Sequence, residues 1–463
     1  MQYDAKTHGM TIPAKHPRIA QAAELFRVGG PLVFTFICDM SFATITTVAT
    51  SWISPTAVAA VGLTINFLFS TIVFFFISLS AITVITAELA GSGQHRKIGA
   101  LLKSGFKLAF LFSISAATLL ILLWWSLPLL PLSDEGVGLA QTFLGICVWI
   151  VPLEFFVFVV VFASNGLGRT FWVGAINFAA VPFFIALTWA LAFGNLGFDA
   201  RGVPGVAFAI LLTVAARSCA FSLLWLQKEF RGLNVLEGSV EAGVTDIRRI
   251  LKIGAPLGFT EISGLASIAV IGIFVSQLGV YSLAAHNIAH NVFAVAHVMI
   301  FGLSRATVIQ VGFMVGQGAS KSAVSSLIST AFFLALFMSC SIAILILAFA
   351  GNIAALYSQD ISVVNLVTSL LAFVAVLRLI DDCTMVLQAS LEGMQQTKTI
   401  FQIRASSHWL VGLASGYLLS MWLGIFGFWV GIGLALVYAC GFLGVRLRSQ
   451  LQLLDAPISP ANK

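Results

Sequence analysis

Charge is what this 463-residue sequence has least of: Asp, Glu, Lys and Arg supply only 9% of it, against about a quarter in a soluble domain. Hydrophobic residues make up 59% and mean hydropathy is +1.02, which excludes a water-solvated fold and makes lipid the solvent. Cysteine is also scarce. Cys38, Cys147, Cys219, Cys340, Cys383 and Cys440 lie in apolar stretches without CxxC or zinc spacing. That excludes a disulfide framework and reads as small buried hydrophobes. Residues 1–27 lack a cleavable apolar core, so no signal peptide is expected and the first apolar segment stays in the protein. No glycine-rich nucleotide loop is present, which argues against ATP-driven pumping by this chain alone.

What the chain does have is a second copy of itself. Arg27-Val28-Gly29-Gly30-Pro31-Leu32 returns as Lys252-Ile253-Gly254-Ala255-Pro256-Leu257, an offset of 225 residues. At that offset Ala59-Ala60 becomes Ala284-Ala285, Asn66 becomes Asn291, and Gly91-Ser92-Gly93 becomes Gly316-Gln317-Gly318. Later the offset slips to 227, matching Gly166 and Thr170 to Gly393 and Thr397. A duplicated, apolar chain is the pattern of transporters whose halves move against each other around a shared site.

Apolar runs of about 20 residues predict twelve spans, near 31–53, 58–90, 104–130, 137–163, 171–194, 203–227, 253–278, 283–315, 324–350, 361–390, 405–424 and 427–445. The fold class expected is an all-α integral membrane protein with twelve transmembrane helices in two six-helix lobes. Six crossings per lobe give both the same orientation, so the pseudo-two-fold axis should run along the membrane normal. The expected organisation is a cytoplasmic segment 1–27, an N-lobe 28–227, a cytoplasmic linker 228–252, a C-lobe 253–445 and a cytoplasmic tail 446–463. Of the 24 Lys and Arg, Arg217, Arg305 and Arg378 lie within spans and Arg201 outside; the other 20 fall on the cytoplasmic side if both termini are inside. The positive-inside rule therefore places both termini in the cytoplasm of a multi-pass protein of the cell inner (plasma) membrane. The net charge of +6 then reports topology and contact with anionic lipid, not nucleic acid.

Six acids fall inside these spans: Asp39, Glu88, Glu154, Glu261, Asp381 and Asp382. Each costs at least about 2.5 kcal/mol to insert, so each needs a partner or water. Glu88, near the inner end of its helix, can reach headgroups. Asp39, Glu154, Glu261 and Asp381 lie about 12–15 Å from the inner face by helix rise, near the midplane. Glu154 and Asp381 are repeat mates at offset 227, while the counterpart of Glu261 is Phe36. Two acid pairs are thus expected, Glu261 with Asp381 in the C-lobe and Asp39 with Glu154 in the N-lobe, either able to bind a cation or proton. Arg378 stands three residues before Asp381 and four before Asp382, both contact spacings. It is expected to pair structurally with Asp382 and leave Asp381 free.

His286, Asn287, His290, Asn291 and His297 form a polar stripe on the eighth span. The His-x-x-x-His spacing lacks a catalytic glutamate and a third ligand, so interhelical hydrogen bonding is the expectation rather than metal binding. Asn66, Asn291 and His286 are candidate cavity-lining polar residues. Asp381-Asp382 lacks the further aspartate of a prenyltransferase motif. Among the 40 Phe and ten Trp, a few lining a cavity floored by carboxylates would suit flat, greasy cations.

These residues resemble a known family. Gly254-Ala255-Pro256 followed by Glu261, Ala284-Ala285-His286-Asn287, Asp381 twelve residues before Gly393, and Gly412-Leu413-Ala414-Ser415-Gly416-Tyr417 are similar to multidrug and toxic compound extrusion (MATE) transporters, in the NorM-type branch, over nearly the whole chain. The resemblance implies two lobes around a central cavity and export of organic cations against inward flow of sodium ions or protons. It makes Glu261 and Asp381 the C-lobe coupling-ion site. The aspartate the family carries late in its first helix falls at Thr46 here, with Asp39 seven residues earlier.

The function expected is secondary antiport of amphipathic organic cations by alternating access, with no cofactor, no metal beyond a possible sodium ion, no nucleic acid, the lipid bilayer as partner and a monomeric state. A lipid-linked saccharide flippase of the same superfamily is the nearest alternative, but its anionic substrate calls for unpaired Arg or Lys. A membrane-embedded enzyme would need a constellation that only His286 and His290 hint at.

Overall fold

The computed structural model describes residues 17–225 and 244–454. The distal parts of the expected N-terminal segment and C-terminal tail, and residues 228–243 of the expected linker, lie outside them. Among the described residues all regular structure is helical: α1 Pro17–Ile53, α2 Pro55–Leu79, α3 Ala81–Gly91, α4 His95–Ser126, α5 Asp134–Cys147, α6 Ile150–Gly166, α7 Thr170–Phe193 and α8 Val203–Trp225. The second half supplies α9 Val244–Ser276, α10 Val280–Gly316, α11 Lys321–Ala348, α12 Ala350–Tyr357, α13 Ile361–Gly393, α14 Thr397–Ser406, α15 Ala414–Leu423 and α16 Ile425–Leu453.

Helices follow from the solvent. Lipid offers no partner to a backbone N–H or C=O, so each apolar run must satisfy them internally. Hydroxyls inside the spans do likewise: Thr64 donates to the Ala60 carbonyl at 2.7 Å and Thr213 to Ala209 at 2.7 Å. Where the chain leaves the helix, turn chemistry takes over. Ser54 caps α2 by accepting from the Ala57 N–H, with Pro55 in the first turn. Gly194, at φ 76°, ends α7.

Ten helices are long and apolar enough to cross a membrane, and the pair α5–α6, bent by 45°, makes an eleventh. The remaining expected run, 405–424, falls on the continuous stretch from Thr397 to Leu423, in which α14 and α15 are joined by a π-helical segment, Ser407–Leu413. Each of the twelve expected spans thus has a helical counterpart, mostly longer than the hydropathy run, with 226–227 at the end of the sixth outside the described residues.

The chain divides into two compact units, one made of the residues up to Val33 with those from Phe259 on, the other of Phe34–Gly258. The divisions thus fall inside α1 and α9, not at 27/28 and 252/253 where polarity changes. Each division lies two residues after a proline within a helix, Pro31 in α1 and Pro256 in α9. These prolines are repeat mates, and so are the division points. Proline removes one hydrogen bond and clashes with the preceding turn, so continuity of the helix ladder is weakest there. Close backbone contacts hold the short arms. A Cβ at Gly29 would lie 2.9 Å from the Gly302 carbonyl oxygen, and one at Gly254 only 1.9 Å from that of Ser78. Glycine lets two helices meet backbone to backbone at both places.

In the Phe34–Gly258 unit, Phe155, Phe143 and Phe221 are fully buried among Leu, Ile and Val. In the other, Trp429, Phe428 and the stripe Val367, Leu370, Leu371 and Val374 of α13 form the core. Both cores are apolar enough that the charged side chains inside them stand out.

Candidate functional site

In the Phe34–Gly258 unit, α1, α6 and α8 bring three charges together. Arg217 of α8 donates from Nη1 to Glu154 Oε1 of α6 at 3.3 Å, and its Nη2 lies 3.8 Å from Asp39 Oδ1 of α1. The Arg217 side chain is 9% exposed, Glu154 16% and Asp39 49%. The guanidinium also stands over the Phe42 ring, 5.7 Å from its centroid, a cation–π distance. Asp39 and Glu154 thus converge on one guanidinium, which stands between them. One negative charge is left over. Thr46 takes no part: it is buried and its hydroxyl donates to the Phe42 carbonyl at 2.8 Å.

In the other unit the cluster is built on α13. Arg378, fully buried, is ion-paired to Asp382, one turn on, and also donates from Nη1 to Asp381 Oδ2 at 3.0 Å. Asp381 is therefore not free, contrary to the expectation that Arg378 would serve Asp382 alone; a forked guanidinium can hold two acids that follow it by three and four residues. His297 Nδ1 of α10 lies 3.7 Å from Asp381 Oδ2 and 3.3 Å from Arg378 Nη1, and the Phe293 ring packs 4.7 Å from the guanidinium. The ligand atoms of His297, Asp381 and Asp382 lie within 4.8 Å of one another, close enough for a metal ion. Arg378 already supplies the cation there.

Glu261 stands apart. It is exposed on α9, and among the described residues no hydrogen bond or ion pair joins it to Asp381. Arg378 and His297 lie against Asp381, while Glu261 is on the exposed face with Ile262, Leu265 and Ile268. Asp39, shifted by 225, falls at Gly264, three residues from Glu261 and so one turn along the same face. Each repeat thus begins with a helix carrying one exposed carboxylate well inside a span.

The remaining candidates separate. Asn66 is exposed. Asn291 is exposed and accepts from the Tyr357 hydroxyl at 2.8 Å. His286 is 2% exposed and packs against Trp429, with ring centroids 5.8 Å apart, so it belongs to the core instead of lining an open surface. Three side chains not picked out from the sequence stand out here. Glu392, 2% exposed, accepts from Arg305 at 2.8 Å and ties α13 to α10; an arginine inside a span with no acid assigned was the signal for it. Arg404, expected at the membrane edge, lies within electrostatic reach of Asp381, as does His408. His408 belongs to the π-helical segment and would meet a Cβ on Gly264 at 3.4 Å. Nothing in the sequence announced the extra residue per turn that places it there.

The chain matches the MatE family over residues 31–190 and again over 256–418, two segments that start 225 residues apart, as the repeat does. It is 27% identical over 419 residues to the multidrug resistance protein NorM of Aliivibrio fischeri, covering 89% of this chain and 91% of that protein. Its fold is similar to an outward-facing multidrug resistance MATE transporter of the MOP superfamily, with TM-score 0.84, 17% identity, and 94% and 96% of the two chains covered. It is similar also to a MATE transporter in a bent conformation, with TM-score 0.86, 17% identity and the same coverage.

Proposed function

We propose, since the chain belongs to the MatE family of transporters, that it is a secondary antiporter exporting amphipathic organic cations in exchange for sodium ions or protons. It is a multi-pass membrane transporter and not an enzyme; we place it in the cell inner membrane as a monomer, with both termini in the cytoplasm.

One observation carries the cationic specificity. Asp39 and Glu261 are exposed at related positions well inside their spans, where a carboxylate facing hydrocarbon would be costly. Each must meet water, a proton or a cation. A lipid-linked saccharide, being anionic, would be repelled by both. Antiport follows if one cation excludes another: the coupling ion, bound at Glu261, favours one arrangement of the protein, and substrate favours another. Asp381 belongs to this coupling through Arg378 and His297, whose hydrogen bonds depend on its charge.

The test is ethidium efflux from proteoliposomes under sodium and pH gradients imposed separately. Efflux driven by either gradient supports antiport and names the ion. Efflux under neither, with protein correctly inserted, refutes it.

A further inference from the structure

Arg217 is itself an organic cation held by Asp39. The Nη1 contact to Glu154 is 3.3 Å and the Nη2 contact to Asp39 is 3.8 Å, both longer than the 2.7–2.9 Å of a closed charge-assisted hydrogen bond. Arg217 Nε and Glu154 Oε2 are buried without a hydrogen-bond partner. The guanidinium is therefore shared between two acids and satisfied by neither, leaving one donor and one acceptor unused. Nε shares an edge with Nη2, the nitrogen held towards Asp39, so that edge is open to the spare Glu154 oxygen only once Asp39 is given up.

The surroundings fit the same picture. Asp39 and Phe42 are three residues apart on α1, so they share a face, and Arg217 meets both, the carboxylate through Nη2 and the ring through its flat side. Carboxylate plus aromatic face is also the pair of groups that would hold a monovalent cation with apolar bulk. Asp39 is open, with its side chain 49% exposed, while Glu154 is enclosed. Depth agrees too: Asp39 lies fourteen residues from Ile53 and Arg217 fourteen from Val203, about 21 Å along each helix.

The geometry points to Arg217 as a tethered competitor for Asp39, a specificity-determining residue that a cationic substrate must displace. This rests on the cation-export reading. When substrate takes Asp39, Nη2 is released and Arg217 closes onto Glu154 through its Nε–Nη2 edge, engaging the spare Oε2, so that the displaced charge stays paired. Competition of this kind sets a threshold. A monovalent cation with an aromatic or apolar body replaces both contacts of the guanidinium, whereas a neutral molecule replaces neither charge nor hydrogen bonds.

The probe is tetraphenylphosphonium, whose charge does not titrate, binding to purified protein in detergent with tryptophan fluorescence or calorimetry as the readout. Arg217→Gln alone strands a buried Glu154, so Arg217→Gln/Glu154→Gln is the variant of choice. It should bind the probe at least fivefold more tightly than wild type, and adding Asp39→Asn should abolish that gain. Should the double variant not fold, Arg217→Lys gives the same reading, because an ammonium lacks the fork that spans both acids and again frees Asp39. Equal or weaker binding in whichever variant folds overturns the competitor role, as does a gain that survives Asp39→Asn. Wild-type protein that neither binds nor expels the probe sinks the export reading itself, a different result from wild-type binding without the gain.

Discussion

Replacing Asp382 by Asn should cost stability where replacing Asp381 by Asn costs transport. Arg378 is wholly enclosed and holds Asp382, Asp381 and the face of Phe293. Removing one partner of a buried ion pair typically costs about 3–5 kcal/mol, because a charge is left uncompensated. Arg378 keeps Asp381 at 3.0 Å in the Asp382→Asn variant, so its charge stays paired and the loss is that of one wholly enclosed charged contact, about 2 kcal/mol. In a unit of this size 1 kcal/mol shifts the melting point by about 2–4 °C, giving a fall of roughly 4–8 °C. Asp381→Asn leaves the fully buried Arg378–Asp382 pair in place and should melt within a few degrees of wild type. It removes, however, the carboxylate that His297 and Arg378 share, and with it gradient-driven efflux. Melting followed by size-exclusion chromatography in detergent, beside ethidium efflux at matched protein, measures both. An Asp382→Asn protein as stable as wild type but inert, or an Asp381→Asn protein with normal efflux, would refute the assignment of roles.

Glu261→Gln should abolish ion-driven ethidium efflux while leaving melting unchanged, since the side chain is exposed and holds no ion pair among the described residues; the same proteoliposomes check it. Gly254→Ala should destabilise by about 3 kcal/mol, at the upper end for overpacking, because its Cβ would lie 1.9 Å from a backbone oxygen; Gly272→Ala, with open space around it, is the control. Arg305→Gln should lower the melting point through the buried Glu392 it strands, and Glu392→Gln in the same chain should restore most of the loss.

Much of the fold was legible because membrane insertion is a local property. Transfer of each segment into hydrocarbon is summed over about 20 consecutive residues, so twelve spans could be read without knowing what any of them touches. The repeat, the loops and the charge asymmetry are equally local. The in-span acids were legible for the same reason, since a charge in an apolar run is conspicuous wherever its partner is. Less legible were the partners. Arg217 stands 63 residues from Glu154 and 178 from Asp39, and only the rotation of α1, α6 and α8 decides that they meet.

That this chain lives in lipid, that it is duplicated, and which residues carry charge at depth all follow from the order of its residues. Packing was needed to bring Arg378 against both Asp381 and Asp382, to leave Glu261 exposed, and to set Arg217 between Asp39 and Glu154. It also decided that the units divide two residues after Pro31 and Pro256, inside helices whose hydropathy runs on without a mark. The difference is one of range. Hydropathy adds up along the chain, whereas the pairing of buried charges depends on helix rotation and backbone approach, fixed by contacts between residues far apart in sequence.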